Sequence, residues 1–198
     1  MNLLLTSAGF KNQQIAETFL KTVGKPADQI QLIFIPTASR TPEELHYIEV
    51  SKQELDDLGI KNIHILNLDH KISPEEISGA DVIYVCGGNT FYLLQKIRES
   101  EFDKALSDFG GLYVGVSAGS IVTGPDIASA GPWDENDVNL SDTSGLKLVN
   151  FVVAPHFVKE DKKTLEVFRG SADYEIINLT DNQAILVKNG KKEIIEKL

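Results

Sequence analysis

The residues best suited to chemistry are Ser117 and His156. Ser117 lies in Gly115-Val116-Ser117-Ala118-Gly119, a G-x-S-x-G pattern that follows the apolar run Gly111 to Val116. A strand, a tight turn and a helix in that order make a nucleophile elbow: small flanking residues let strand and helix approach while the hydroxyl projects into a cleft. The helix that follows would offer free N–H groups to a developing oxyanion. The plainer reading is a glycine-rich turn with an N-capping serine. Ser120, inside that helix, reads as a packing or capping residue. A serine hydroxyl also needs a base. Of the four histidines, His46 falls on an acidic helix, His64 inside a strand where it should pack, and His70 on a polar loop. His156 ends the run Phe151 to Ala154 just after Pro155, a place where α/β sheets present site residues. Its plainer reading is a strand-end histidine bonded to backbone.

A triad is completed by a carboxylate that orients the imidazole and stabilises its charged form. Asp126, Asp134, Glu135, Asp137 and Asp142 all lie between the serine and the histidine. Spacing does not choose among them, and each also reads as a solvated loop acid or an Asx-turn. A second glycine cluster, Cys86-Gly87-Gly88-Asn89-Thr90, follows the apolar run Val82 to Val85. Two glycines there permit close backbone approach and could supply the other half of an oxyanion hole, with Asn89 or Thr90 capping the next helix. Neither G-x-G-x-x-G nor a lysine-bearing P-loop is present, so phosphate binding has little support. Cys86 has no adjacent base and reads as a small buried hydrophobe. Asp161, Lys162 and Lys163, with Lys191 and Lys192, look like solvated faces.

Positioning these groups is the task of short apolar runs: Asn2 to Leu5, Gln31 to Ile35, Asn62 to Leu66, Asp81 to Val85, Gly111 to Val116 and Phe151 to Ala154. Their length and content suit strands buried on both faces. Helical spacing intervenes: Ile15, Phe19 and Val23 form one stripe, and Leu45, Ile48, Val50, Leu55 and Leu58 a looser one after the start signal Thr41-Pro42-Glu43-Glu44. Alternating strands and helices imply crossovers and a parallel sheet. Residues 124–144 are polar and broken, which predicts a long loop with a short strand allowed at Asp126 to Ala130. Such a loop in a compact domain is a candidate part of a site. Strands return at Glu175 to Asn178, Ala184 to Val187 and Glu193 to Ile195, with Asn189-Gly190 as a hairpin turn. No boundary interrupts the pattern, so 1–198 is expected to be one domain.

Composition narrows the function classes. The chain has 198 residues, 42% hydrophobic and 24% charged, ordinary values for a globular domain and wrong for a disordered chain. Its single cysteine allows no intrachain disulfide and favours a reducing, cytoplasmic setting. A formal net charge of −10 with no basic patch would repel nucleic acid and anionic membrane. No run approaches the length of a membrane span, and the N-terminus lacks the basic segment and cleavage site of a secretory signal. No metal or cofactor is implied.

Taken together, Phe34-Ile35-Pro36-Thr37-Ala38-Ser39, Gly87-Gly88-Asn89-Thr90-Phe91, Gly115-Val116-Ser117-Ala118-Gly119-Ser120 and Pro155-His156-Phe157 resemble peptidase family S51, the group containing aspartyl dipeptidase (peptidase E) and cyanophycinase. The resemblance implies a flavodoxin-like, class I glutamine-amidotransferase-like α/β fold, mostly parallel with helices on both faces, ending here in a β-hairpin. It implies Ser117 as nucleophile, His156 as base, and the backbone N–H groups of Gly88 and Ala118 as oxyanion hole. For the acid it points to an Asn-Asp pair before the histidine. An ungapped count reaches Asp134, matching the pair selects Asp137, and the glutamate of cyanophycinase-like members keeps Glu135 in play; Asp134 is preferred. The implied substrate is a small peptide, with Asp-Xaa dipeptides the narrower case. The cations after His156, namely Lys159, Lys162, Lys163 and Arg169, match no family position for holding an aspartyl side chain. A homodimer is left open. Two other readings remain: a non-catalytic binding protein on this scaffold, and an α/β-hydrolase esterase, which the short interval from Ser117 to His156 argues against.

Overall fold

The fold is described from a computed structural model covering residues 1–196. Five strands alternate with helices as the hydrophobic pattern requires. They are β1 (Asn2–Thr6), β2 (Gln31–Ile35), β3 (Asn62–Ile65), β4 (Val82–Val85) and β5 (Leu112–Val116). Between them come α1 (Gln13–Val23), α2 (Pro42–Asp57), α3 (Pro74–Ile77), α4 (Thr90–Glu99) and α5 (Phe102–Leu106), and α6 (Ala118–Ile121) follows β5. These strands run parallel in the order β3-β2-β4-β5-β1. Two more strands, β8 (Ala184–Lys188) and β9 (Lys191–Ile195), extend the same sheet beyond β1, each antiparallel to its neighbour. Asn189 and Gly190 both take positive φ, 52° and 72°, the backbone a two-residue hairpin turn demands.

Side-chain alternation splits the core into two layers, because successive strand residues point to opposite faces. Leu4, Leu32, Phe34, Val82, Tyr84 and Val114 pack against Ile15, Phe19, Ile48 and Leu55 of α1 and α2. Leu3, Leu5, Ile33, Ile35, Ile83, Val85 and Tyr113 pack against α3 to α6 through Ile77, Phe91, Leu94, Ile97, Phe102 and Ile121. The α2 start signal holds: Thr41 Oγ1 accepts from the Glu44 N–H, and a Glu44 carboxylate oxygen accepts from the Thr41 N–H. Its stripe is narrower than the spacing suggested, because Leu45 is 50% exposed while Ile48 and Leu55 are buried. His64 also departs from expectation. It lies exposed on β3, an edge strand with one face uncovered.

Two further strands stand apart. β6 (Phe151–Ala154) and β7 (Glu175–Asn178) pair with each other in parallel, outside the large sheet, and pack on α7 (Lys162–Ser171) through Val152, Ala154, Leu165 and Ile176. The segment 124–144 is a loop as expected. Its allowed strand is a single bridge between Asp126 and Ser144 beside a 3₁₀ turn at Ala128–Ala130. The loop's return is fastened to the end of α6: Leu146 N donates to Val122 O and Lys147 N to Gly124 O.

The crossing of β5 and α6 leaves no room for side chains. A Cβ on Gly119 would lie 2.3 Å from the Val85 carbonyl oxygen, and one on Gly115 would lie 2.5 Å from the Gly119 oxygen. Gly119→Ala is therefore expected to cost about 2 kcal/mol or more, read as a fall in Tm on the order of 4–8 °C by calorimetry. An unchanged Tm would show that β4 and α6 can separate freely.

Candidate active site

The elbow forms at Ser117, whose φ of 50° and ψ of −111° are strained for a residue with a side chain. Hydrogen bonds hold it there. Ser117 N donates to Thr6 O at 3.1 Å, and the buried Ser120 hydroxyl sits 2.8 Å from both Thr6 O and Gly115 O. Ser120 thus ties the turn to β1 and β5, as a packing residue would.

His156 comes to the same place from β6. Its φ is 54°, and the backbone on either side of it is held by Leu179, the residue after β7: Phe157 N donates to Leu179 O, and Leu179 N to Ala154 O. Its Nε2 lies 3.0 Å from Ser117 Oγ, and its Nδ1 lies 2.7 Å from Asp181 Oδ1. An ionised carboxylate only accepts, so Nδ1 carries the proton and Nε2 is left to accept from the serine hydroxyl. Asp181 stands on the turn between β7 and β8. Burial pushes its carboxyl up, but the bond to His156 and the Lys11 ammonium, 3.2 Å from Oδ2, outweigh that and hold it below the usual carboxylate range.

The preferred loop acid is elsewhere. Asp134 Oδ2 accepts from the Thr90 backbone N–H at 2.8 Å, satisfying an orphan donor at the start of α4, and does not reach His156 Nδ1. Burial raises its pKa, partly offset by the Thr90 bonds. The other loop acids are engaged as well. Asp137 pairs with Arg40 at 2.8 Å, Asp126 accepts from Ala128 N and Thr143 Oγ1, and Asp142 accepts from Ser144 N and pairs with Arg98. Glu135 is exposed, and its carbonyl accepts from Asn89 Nδ2. Sequence reasoning missed Asp181 because it searched only between serine and histidine. The available signal was an aspartate directly after a strand, in Asn178-Leu179-Thr180-Asp181, at the edge where site residues gather.

Gly87 and Gly88 close the other wall. A Cβ on Gly87 would stand 3.2 Å from Ser117 Cβ, and Gly88, at φ 131°, would drive one to 2.3 Å from Ala38 O. The N–H groups of Gly88 and Ala118 donate to no acceptor among the described residues. Asn89 caps α4 by accepting from Tyr92 N at 2.9 Å. Cys86 is buried and desolvation pushes its thiol well above its ordinary pKa, which disfavours the thiolate that nucleophilic attack needs. His46 and His70 are exposed; His70 bonds Asp69 and Glu76.

Two cavities meet at Ser117, Trp133, Asp134 and His156. The larger, about 480 Å³, extends along α2 past Glu43, Glu44, Tyr47 and Glu54. The smaller, about 260 Å³, is mostly apolar, with Ile121, Ala130, Val153 and Val158 in its wall.

The model of peptidase family S51 matches residues 3–195. The chain belongs to peptidase family S51. The uncharacterized peptidase Lmo0363 of Listeria monocytogenes is 34% identical over 176 residues, spanning 83% of this chain and 84% of that protein. A peptidase E of Salmonella arizonae is 29% identical over 177 residues, spanning 80% of this chain and 73% of its own. A crystal structure of a peptidase E candidate from Listeria monocytogenes superposes with a TM-score of 0.83 at 29% identity, covering 100% of this chain and 98% of that one. The S51 chain described here is a serine-type peptidase with the α/β fold expected of it.

If Asp134 serves α4 as its geometry indicates, Asp134→Ala should cost about 1 kcal/mol of stability, while Asp134→Asn, which keeps an acceptor for Thr90 N, should cost little. Urea unfolding of the two variants separates these outcomes.

Proposed function

We propose that this S51 peptidase hydrolyses an amide bond in short peptides through Ser117, His156 and Asp181. The observation that carries the reading is the unbroken chain of hydrogen bonds from Ser117 Oγ through the imidazole to Asp181. Ser117 Oγ attacks the scissile carbonyl carbon while His156 Nε2 takes its proton. Asp181 stabilises the imidazolium and keeps the proton on Nδ1. The Gly88 and Ala118 N–H groups receive the tetrahedral oxyanion. His156 then protonates the leaving amine, and a water molecule, deprotonated in its turn by His156, releases the acyl group. The bond from His156 and the Lys11 ammonium hold the Asp181 carboxyl below its usual range, which favours the charged form that an imidazolium needs beside it.

The two modest cavities suit a short peptide with the bond to be cut above Ser117. An aspartyl side chain finds a poor match in the larger one, where Glu43, Glu44, Glu54, Asp134 and Asp181 face the single lysine Lys11, already bound to Asp181. We read the substrate as a short peptide without a requirement for aspartate, although the peptidase E relatives make Asp-Xaa dipeptides the natural comparison. A cytoplasmic setting belongs to this reading. It is supported by the single cysteine, which is buried and allows no intrachain disulfide.

A dipeptide screen with wild type and variants tests both parts. Ser117→Ala should lower kcat on the order of 10³ or more, and Asp181→Asn by a similar order, while Asp134→Asn should change KM more than kcat. Full activity in Asp181→Asn would remove it from the mechanism. Asp-Leu should be cut more slowly than Leu-Leu; the reverse order would mean that Lys11 leaves Asp181 to bind the substrate.

A further inference from the structure

We propose that Ser7 is a positioning residue for this site, holding the His156 backbone and the Asp181 carboxylate in register through one buried hydroxyl. The inference rests on the serine-peptidase reading above. Ser7 follows β1 directly and is fully buried. Its Oγ accepts from the His156 backbone N–H at 2.7 Å and donates to Asp181 Oδ1 at 3.2 Å. Chemistry fixes both directions, because an amide N–H can only donate and an ionised carboxylate can only accept. The same Asp181 oxygen receives the His156 Nδ1 proton at 2.7 Å. A closed ring results, running from the His156 backbone to Ser7, to Asp181 and back to the His156 ring.

Two effects follow from that ring. The left-handed backbone of His156 persists only where its surroundings hold it, and the Ser7 bond anchors its amide. A donor shared onto Asp181 Oδ1 also draws charge from the oxygen that stabilises the imidazolium, so Ser7 sets the basicity of the pair as well as its orientation. The other charged groups facing them are Lys11, on Asp181 Oδ2, and Asp134, which acts on His156 through space. Neither touches the hydrogen bonds that Ser7 makes. Alanine at position 7 would leave the His156 N–H without its acceptor and Asp181 Oδ1 with one donor fewer.

The test is an NMR titration of the His156 ring, assigned by its loss in His156→Gln, in wild type, Ser7→Ala and Ser7→Cys, alongside the rate at which a fluorophosphonate labels Ser117. In Ser7→Ala the His156 titration should move up relative to wild type, because Asp181 Oδ1 loses a donor that competes with the imidazolium for its charge. Labelling should slow about ten-fold or more while unfolding stays cooperative. Ser7→Cys, with its weaker donor, should fall between, and it carries the test if the alanine variant does not fold. A His156 titration unmoved in the variants overturns the proposal even if labelling slows, since that is what a purely structural serine would give. A moved titration in a protein whose Ser117 is never labelled supports the positioning role and overturns the serine-peptidase reading instead.

Discussion

The carbonyl of Thr6, the last residue of β1, is the point on which the site depends. It accepts from the Ser117 N–H and from the Ser120 hydroxyl, and so holds a serine in a backbone conformation that would otherwise relax. The Thr6 hydroxyl reinforces the arrangement by donating to Gly115 O and accepting from Gly9 N. One residue on, Ser7 reaches His156 and Asp181. Ser117, His156 and Asp181 are thus all fastened to the end of one central, buried strand flanked by β5 and β8. A strand hydrogen-bonded on both sides and packed on both faces cannot drift, and that rigidity passes to the side chains it holds.

The rest of the architecture explains why strain is tolerable here. Small residues let the layers approach: Gly115 and Gly119 at the β5–α6 crossing, Gly87 and Gly88 beside Ser117. The long loop returns to cover α6 with backbone hydrogen bonds, and four of its carboxylates, Asp126, Asp134, Asp137 and Asp142, are engaged in holding the loop together, capping α4 and pairing with Arg40 and Arg98. A segment that looked like a source of catalytic groups is mostly scaffolding. It still contributes Trp133 and Asp134 to the cleft wall.

Much of this was legible from residue types and spacing. Runs of Val, Ile and Leu placed the strands to within a residue or two, since a doubly buried strand has few alternatives. The glycine patterns located Ser117 and Gly87-Gly88, because close backbone approach excludes side chains whatever the fold around it. His156 was legible as a strand-end residue. Asp181 was not, for a physical reason: an acid that serves a histidine needs proximity in space, and β7 folding back beside β6 supplies that proximity without leaving any periodic mark. His64 and Leu45 misled for the opposite reason. Local pattern suggested burial, and only the order of strands in the sheet shows which face goes uncovered.

The attachment of the site to β1 also bears on how it forms. The strand that holds residues 117, 156 and 181 lies far from all three in sequence, and its partners in the sheet are β5 (Leu112–Val116) and β8 (Ala184–Lys188). None of the three is brought to the others by a local segment: each contact closes a long loop of chain. The site is therefore a product of long-range order, and its geometry should appear late in folding, with the closing of the sheet.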